Sequence, residues 1–135
     1  MNMATQAAPR GDDDAIEREI QTKGKTAARV TPADIEAVIA ETHYFTAADG
    51  VLGAAVADGV EVGATAPLGL LTFCVLVLRN GFTVTGESAC ASPENFDAEI
   101  GRKVARANAV AKIWPLEGYL LKEKLAFASI DGRPA

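Results

Sequence analysis

The sequence is poor in the side chains that build metal centres and nucleophilic active sites. It contains a single histidine, His43, and two cysteines, Cys74 and Cys90. A zinc site needs about four ligands, and the strand register predicted below points the two cysteines to opposite faces of a sheet. We therefore expect no metal, no disulfide and buried thiols, with His43 a strand residue in or near the core. Since no base is recognisable for either thiol, no enzyme is expected.

Positive charge and long apolar runs are also scarce. The formal net charge is −5, which disfavours a dedicated nucleic-acid binder because phosphate neutralisation needs a basic surface. The longest apolar stretch, Leu68 to Leu78, has about half the length that a bilayer requires, and the first residues lack the apolar segment of a secretory signal. No glycine-rich turn precedes a Lys-Ser or Lys-Thr pair at the required spacing, which excludes a phosphate loop. We expect a protein of a reducing cytoplasm, without a membrane or DNA partner.

The chain is long enough for one ordinary domain, at 135 residues. Residues 1–30 show little apolar periodicity and crowd acids at Asp12 to Asp14, Glu17 and Glu19. They predict a mobile arm, or one ordered only against a partner subunit. Residues 31–128 form the single predicted domain, and residues 129–135 a frayed tail.

A helix and then a strand open the predicted domain. Thr31-Pro32-Ala33-Asp34 is a helix start, with a hydroxyl cap, a proline and an acid in the first turn. Apolar spacing extends this helix to about Glu41. His43 to Thr46 favours a strand. The stretch from Ala47 to Gly69, rich in glycine and alanine, predicts a long and partly mobile loop.

The clearest local prediction is a β-hairpin over residues 71–88. Asn80-Gly81 favours a two-residue type I′ turn. That turn sets Val77 opposite Val84 on a mostly apolar face. Gly86 then marks a bulge or a place where another group lies close to the strand.

Two helices follow the hairpin. Ser92-Pro93 is a second helix start, and the helix is predicted to run to Trp114. Trp114-Pro115 breaks it, and the next helix runs from Leu116 to about Phe127. Gly101 inside the first helix costs about 1 kcal/mol relative to alanine, which close packing of helix on sheet would offset. The predicted fold class is α+β: a small antiparallel sheet with the hairpin 71–88, a C-terminal helical hairpin broken at Trp114-Pro115, and a short N-terminal helix.

The candidate binding site is a polar strip on the first of these helices. At about 100° per residue, Asn95, Glu99, Arg102 and Arg106 line one side. Two guanidinium groups one turn apart suit a phosphate or pyrophosphate, and the N-terminus of the helix attracts anions. The alternative is structural: Arg102 pairs with Glu99 on a solvated face.

An aromatic ring near the hairpin tip completes the candidate site. Phe82, together with Tyr44 or Phe45, is placed to stack on a base. The alternative is that Phe82 belongs to the core, since Val77 and Val84 beside it are apolar.

Three segments of the chain resemble a small family encoded by tailed phages and prophages: Leu71 to Ser88, Ser92 to Asp97 and Ile113 to Tyr119. The resemblance spans about Thr31 to Leu125 and is strongest over residues 71–121. This family in turn resembles the first class of Thoeris anti-defence proteins. Those proteins are phage sponges that bind the cyclic ADP-ribose signal of bacterial TIR-domain sensors, and some also bind cyclic oligonucleotides.

The resemblance implies a protein of the host bacterial cytoplasm that sequesters such a signal without cleaving it. It also implies a homo-oligomer, a dimer or dimer-based ring with pockets between subunits, and the small size of the domain agrees because a lone copy struggles to cover its apolar surface. By chemistry Phe82 would stack, Asn95 would hydrogen-bond, and Arg102 and Arg106 would meet phosphates, with no cofactor. The competing interpretation is a phage accessory protein that binds a host protein.

Overall fold

The computed structural model of the chain describes residues 12–63 and 66–131. It confirms an α+β fold built on one three-stranded antiparallel sheet with strand order β1-β2-β3. The helices and strands are α1 Asp13–Thr22, α2 Pro32–Ala37, β1 Ile39–Thr46, α3 Ala47–Asp58, β2 Leu71–Leu78, β3 Thr83–Ala89, α4 Ala98–Ala111 and α5 Ile113–Asp131. Short 3₁₀ turns at Ala66–Leu70 and Pro93–Asn95 lead into β2 and α4.

The core lies between α4 and one face of the sheet. Alternate residues of β2 and β3 are buried against the helix, as a strand with one covered face requires. Gly86 allows the helix to approach closely, because a Cβ there would stand 2.2 Å from the carbonyl oxygen of Ala105. The largest fully buried side chains include Ile35, Leu76 and Ile113. The predicted close approach at Gly86 is confirmed, and no bulge interrupts the pairing of β2 with β3.

The hairpin register differs by one residue from the prediction. Leu76, not Val77, pairs with Val84. The turn is a three-residue loop over residues 79–81: the Gly81 N–H donates to the Leu78 carbonyl at 2.8 Å, and Gly81 has φ +88°. Since a one-residue slip exchanges the two faces of a strand, the apolar face predicted to contain Val77 is the outer one, and Leu76 and Leu78 lie in the core.

The same slip corrects the predicted placement of the cysteines. Cys74 pairs with Gly86, and the Cys90 N–H donates to the Leu70 carbonyl at 3.0 Å. Both cysteines therefore lie on the buried face rather than on opposite faces. They are separated along the sheet by about 13 Å at strand spacing, too far for a disulfide, and both thiols are free.

The segment predicted as a long loop contains helix α3. Thr46 and Asp49 form a capping box, in which the Asp49 N–H donates to Thr46 Oγ1 at 3.1 Å and the Thr46 N–H to Asp49 Oδ2 at 2.9 Å. Gly59 ends the helix in the left-handed conformation, with φ +68°. The prediction was wrong because the glycines of this stretch indicated a loop, whereas its alanines favour a helix.

The boundaries of the flanking elements also move. Helix α2 begins after the predicted cap, Thr31, but ends at Ala37 instead of Glu41. Strand pairing takes over there: the Arg79 N–H donates to the Val38 carbonyl at 2.9 Å. Tertiary pairing of β-branched residues thus overrides the helical spacing.

The first C-terminal helix, α4, starts later than predicted, and the break between the two helices comes earlier. Asp97, not Ser92, caps α4 by accepting from the Ile100 N–H at 3.0 Å. The chain bends at Lys112, and α5 starts at Ile113, ahead of the predicted break. Pro115 then falls in the first turn of α5, where its missing N–H costs no helical bond.

The ends of the described chain are helical. Helix α1 spans Asp13–Thr22, within the segment that was predicted as an arm. At the other end α5 continues to Asp131, into the segment predicted to fray. Residues 1–11 and 132–135, on which the predictions of a mobile arm and a frayed tail also fall, lie outside the described residues.

Candidate functional site

Arg102 and Arg106 lie one turn apart on the side of α4 that faces β1. Tyr44 of β1 stands opposite Cys74 in the sheet register, which places it on the face that α4 covers. Both guanidinium groups interact electrostatically with the Tyr44 phenol. The structure therefore brings these two predicted residues together, beside Tyr44, one of the aromatic rings that the sequence offered together with Phe82.

Arg106 is already engaged in the structure. Its Nη2 contacts Glu36 Oε1 at 2.8 Å and its Nη1 contacts Glu36 Oε2 at 3.2 Å, a bidentate pair between α4 and α2. The pair raises the pKa of the Arg106 guanidinium. Glu36 thus neutralises the charge that was expected to meet a phosphate.

Arg102 is the available cation of the strip. It makes no hydrogen bond or ion pair with any residue in the described ranges, and Glu99, its predicted structural partner, pairs instead with Lys103 at 3.3 Å. Arg102 lines a groove of about 130 Å³. The other lining residues are Tyr44, Phe45, Thr46, Asp49, Thr72, Phe96 and Ala98.

Three aromatic residues line the same groove as Arg102. Tyr44, Phe45 and Phe96 all line the groove, and Phe45 packs on Phe73 with ring centroids 5.7 Å apart. Partial burial raises the pKa of the Tyr44 phenol, with Arg106 and Arg102 acting in the opposite direction. The phenol therefore stays protonated at neutral pH and can donate a hydrogen bond to an anion. Phe96 was not among the site residues predicted from the sequence.

Phe82 and Asn95 lie apart from each other. Phe82 is 55 % exposed at the hairpin tip, so it does not belong to the core. Asn95 lies in the 3₁₀ turn before α4, next to Phe96, which lines the groove with Arg102. Since β3 runs between them, Phe82 and Asn95 are separated by about 20 Å or more at strand spacing, and one copy of the chain does not join them in a pocket.

The histidine and cysteines also have defined environments. His43 lies at the exposed outer face and bonds to Glu41 Oε1 at 2.9 Å, contrary to its predicted place in or near the core. Burial raises the pKa of the Cys74 thiol to about 11, against a smaller opposite effect of Arg106. Among residues 12–63 and 66–131, no three histidine, cysteine or acidic side chains gather as metal ligands. No helix in the same ranges has the length and apolar character needed to cross a bilayer.

Comparison with known proteins identifies the family. A family model described as the phage protein (N4 Gp49/phage Sf6 gene 66) family matches residues 30–125. These residues include the whole sheet and α4, and they leave α1 outside. No curated protein and no solved structure matches the chain significantly. The match spans more than half of the sequence and confirms the predicted phage origin: the chain belongs to the phage protein (N4 Gp49/phage Sf6 gene 66) family.

Proposed function

We propose that this phage protein binds a cyclic ADP-ribose-type immune signal in the host cytoplasm and withholds it, uncleaved, from its effector, so that Thoeris-type immunity is blocked. The observation that carries the proposal is the guanidinium of Arg102, which has no hydrogen bond or ion pair in the described residues and shares its groove with Tyr44, Phe45 and Phe96. A signal with a pyrophosphate and an adenine needs a cation and aromatic surface of this kind.

The groove is too small to hold the whole signal, so the proposal includes a second subunit. About 130 Å³ accommodates a phosphate group, whereas sites for whole small molecules occupy about 300–1,000 Å³. The remaining walls would come from another copy of the chain, in a dimer or a dimer-based ring. In such an assembly Phe82 of a second copy can approach Arg102; within one copy it does not line the groove. Cyclic oligonucleotides are further candidate ligands of the same surface.

Calorimetry and thermal unfolding of the full chain with isomers of cyclic ADP-ribose test the proposal. A ligand that binds only the folded state stabilises it by about 2.7 kcal/mol at one hundred times its dissociation constant, so the melting temperature rises. Chromatography after incubation should return the ligand intact. Absence of heat and of a thermal shift for every isomer refutes the proposal, and a cleaved product refutes sequestration.

Arg102→Gln is the sharper site variant. Loss of a charge-assisted hydrogen bond costs about 1.5–3 kcal/mol, equivalent to about 10- to 100-fold in affinity. Arg18→Gln on α1, an exposed arginine outside the groove, is the matched control and should bind as the unmodified protein does. Arg106→Ala is less clean because it also frees Glu36. Equal affinity of the Arg102 and Arg18 variants would remove this groove from the proposal.

Binding of a host protein is the second candidate function. Helix α5 favours it, because Tyr119 is 72 % and Leu120 50 % exposed on its surface, and large exposed apolar side chains mark interaction surfaces. Light scattering separates the two proposals. A second copy on this surface gives an oligomer by itself, whereas a host partner leaves a monomer that gains mass only in host extract.

A further inference from the structure

Helix α5 leaves the core of the domain soon after it begins. Its first residue, Ile113, is fully buried, whereas each of residues 114–129 is half-buried or exposed. The 19 residues of the helix span about 28 Å at 1.5 Å per residue, so the core covers only its start. Large apolar side chains lie on more than one side of it, with Tyr119 72 % and Leu120 50 % exposed. A helix that is apolar on several sides is stable when other structure covers it.

One side of α5 forms a wall of a groove of about 370 Å³. Four residues of the helix line this groove, and at about 100° per residue they share one side with Ile113. We name them the α5 stripe: Glu117, Leu120, Leu121 and Lys124. Val30, Ala37 and Val38 also line the groove and make it apolar. Tyr119 lies on the other side of the helix.

The stripe has one acid and one base at equal distances from its centre. Glu117 and Lys124 lie about two turns apart, and Leu120 and Leu121 lie midway between them. Neither Glu117 nor Lys124 makes a hydrogen bond or an ion pair with any residue in the described part of the chain. Both charges are therefore available to a partner.

The other two charged residues of the groove are already engaged. Arg29 Nη1 donates to Glu17 Oε1 at 2.7 Å, and Asp34 Oδ2 accepts from the Thr31 N–H at 2.9 Å. Their charges are thus partly satisfied inside the same copy. What covers the groove must chiefly match an acid and a base that flank two leucines.

A second copy of the stripe has this complementarity by symmetry. When two stripes lie antiparallel about a two-fold axis between Leu120 and Leu121, each Glu117 stands opposite Lys124 of the second copy. The leucines of both copies then meet at the centre. A parallel arrangement would instead set like charges against each other, which is unfavourable. The charges therefore select the arrangement that closes into a dimer.

We propose that the α5 stripe is the two-fold interface of a homodimer, with the leucines of each copy entering the groove of the other. A host protein would need its own acid and base in the reverse order, whereas a second copy supplies them without further requirement. The dimer forms without a ligand, so the proposal does not rest on the proposed function. It leaves Tyr119 outside the interface.

Sedimentation equilibrium of the full chain over a wide range of concentration tests the proposal. The unmodified protein should dimerise. Glu117→Lys and Lys124→Glu each set like charges opposite each other at two symmetric places, so each should raise the dissociation constant of the dimer about 10- to 100-fold. An equimolar mixture of these two variants should associate as tightly as the unmodified protein, because every lysine then meets a glutamate.

Lys122→Glu is the matched control. It makes the same change of charge at an exposed position of α5, on the side away from the stripe, and should dimerise as the unmodified protein does. Circular dichroism checks that each variant keeps its helices, and recovery of the dimer on mixing shows the same independently.

Three results overturn the proposal. The first is a monomer at every concentration, including one that takes up a host protein through the stripe. The second is a dimer that both single variants retain, which places the interface elsewhere. The third is a mixture that fails to associate, which excludes the antiparallel pairing. A monomer that binds cyclic ADP-ribose counts against the dimer alone, and a dimer that binds no isomer counts against the proposed function alone.

Discussion

Replacement of Gly86 by alanine tests the packing of α4 on the sheet. The new Cβ would stand 2.2 Å from the Ala105 oxygen, 2.3 Å from the Ala109 nitrogen and 2.9 Å from the Asn108 carbonyl carbon, all backbone atoms of α4. Backbone atoms cannot rotate aside as the end of a side chain can. The helix must therefore withdraw by about 1 Å to reach ordinary contact distance.

That withdrawal of the helix determines how much the free energy of unfolding falls. A gap of about 1 Å forfeits up to half of the dispersion energy of the contacts across it, and overpacking of a well-packed core costs about 1–3 kcal/mol, occasionally more. Because the clash involves the helix backbone on both sides of the turn, we expect the upper end, about 3 kcal/mol. For a chain of this size such a loss lowers the melting temperature by about 10 °C.

Urea unfolding followed by circular dichroism measures the free energy of unfolding. Gly53→Ala is the matched control: Gly53 lies inside α3, no atom lies within 4 Å of its added Cβ, and the variant should gain about 0.5–1 kcal/mol. The free energy of unfolding of Gly101→Ala should fall between those of the other two variants. The added Cβ would lie 3.1 Å from Thr72 Oγ1, and the Thr72 side chain can move. If Gly86→Ala is as stable as the unmodified protein, α4 does not lie on β3 as described.

Three further predictions concern single side chains. Asp97→Ala removes the cap of α4 and should cost about 1 kcal/mol in urea unfolding, whereas no change would mean that the 3₁₀ turn caps the helix unaided. The hydrogen bonds of Arg29 lower the pKa of Glu17 from 4.5 to about 2. The contribution of Glu17 to stability is therefore complete above pH 4.5 and is lost as the pH falls toward 2. The difference in Trp114 emission between Glu17→Gln and the unmodified protein should vanish across that window, and a constant difference would contradict the ion pair. Burial raises the pKa of the Cys74 thiol to about 11. Ellman's reagent should therefore leave this thiol unmodified at pH 8 until urea unfolds the protein. Rapid labelling of the native thiol would show that the strand face is open to solvent.

Local chemistry accounts for the parts of the fold that were predicted. The capping residues of α2 and the turn at Asn80-Gly81 act within four residues of the chain, so the pattern alone identifies them. The capping box of Thr46 and Asp49 is equally local. Together with the alanines that follow it, this motif is typical of a helix start at α3. The hairpin could not be placed in register this way, because two- and three-residue turns both accept Asn80-Gly81 and only burial of one strand face decides between them.

The candidate site shows the same division. Helical periodicity alone puts Arg102 and Arg106 on one side of α4, and this holds in the structure. Which of the two can meet an anion depends on Glu36, which lies 70 positions from Arg106 in the sequence. No local pattern predicts such a pair, since it exists only after α2 and α4 have packed on the same sheet.

The sequence by itself determined that this chain has a hairpin, a bent pair of C-terminal helices and an arginine strip, and that it resembles a phage family. Each depends on neighbouring residues or on a motif. Tertiary structure alone decided that Leu76 faces the core and that Tyr44 rather than Phe82 stands beside Arg102. The physical reason is that each of these follows from contacts between distant segments, whose energy is gained only when the whole domain has assembled.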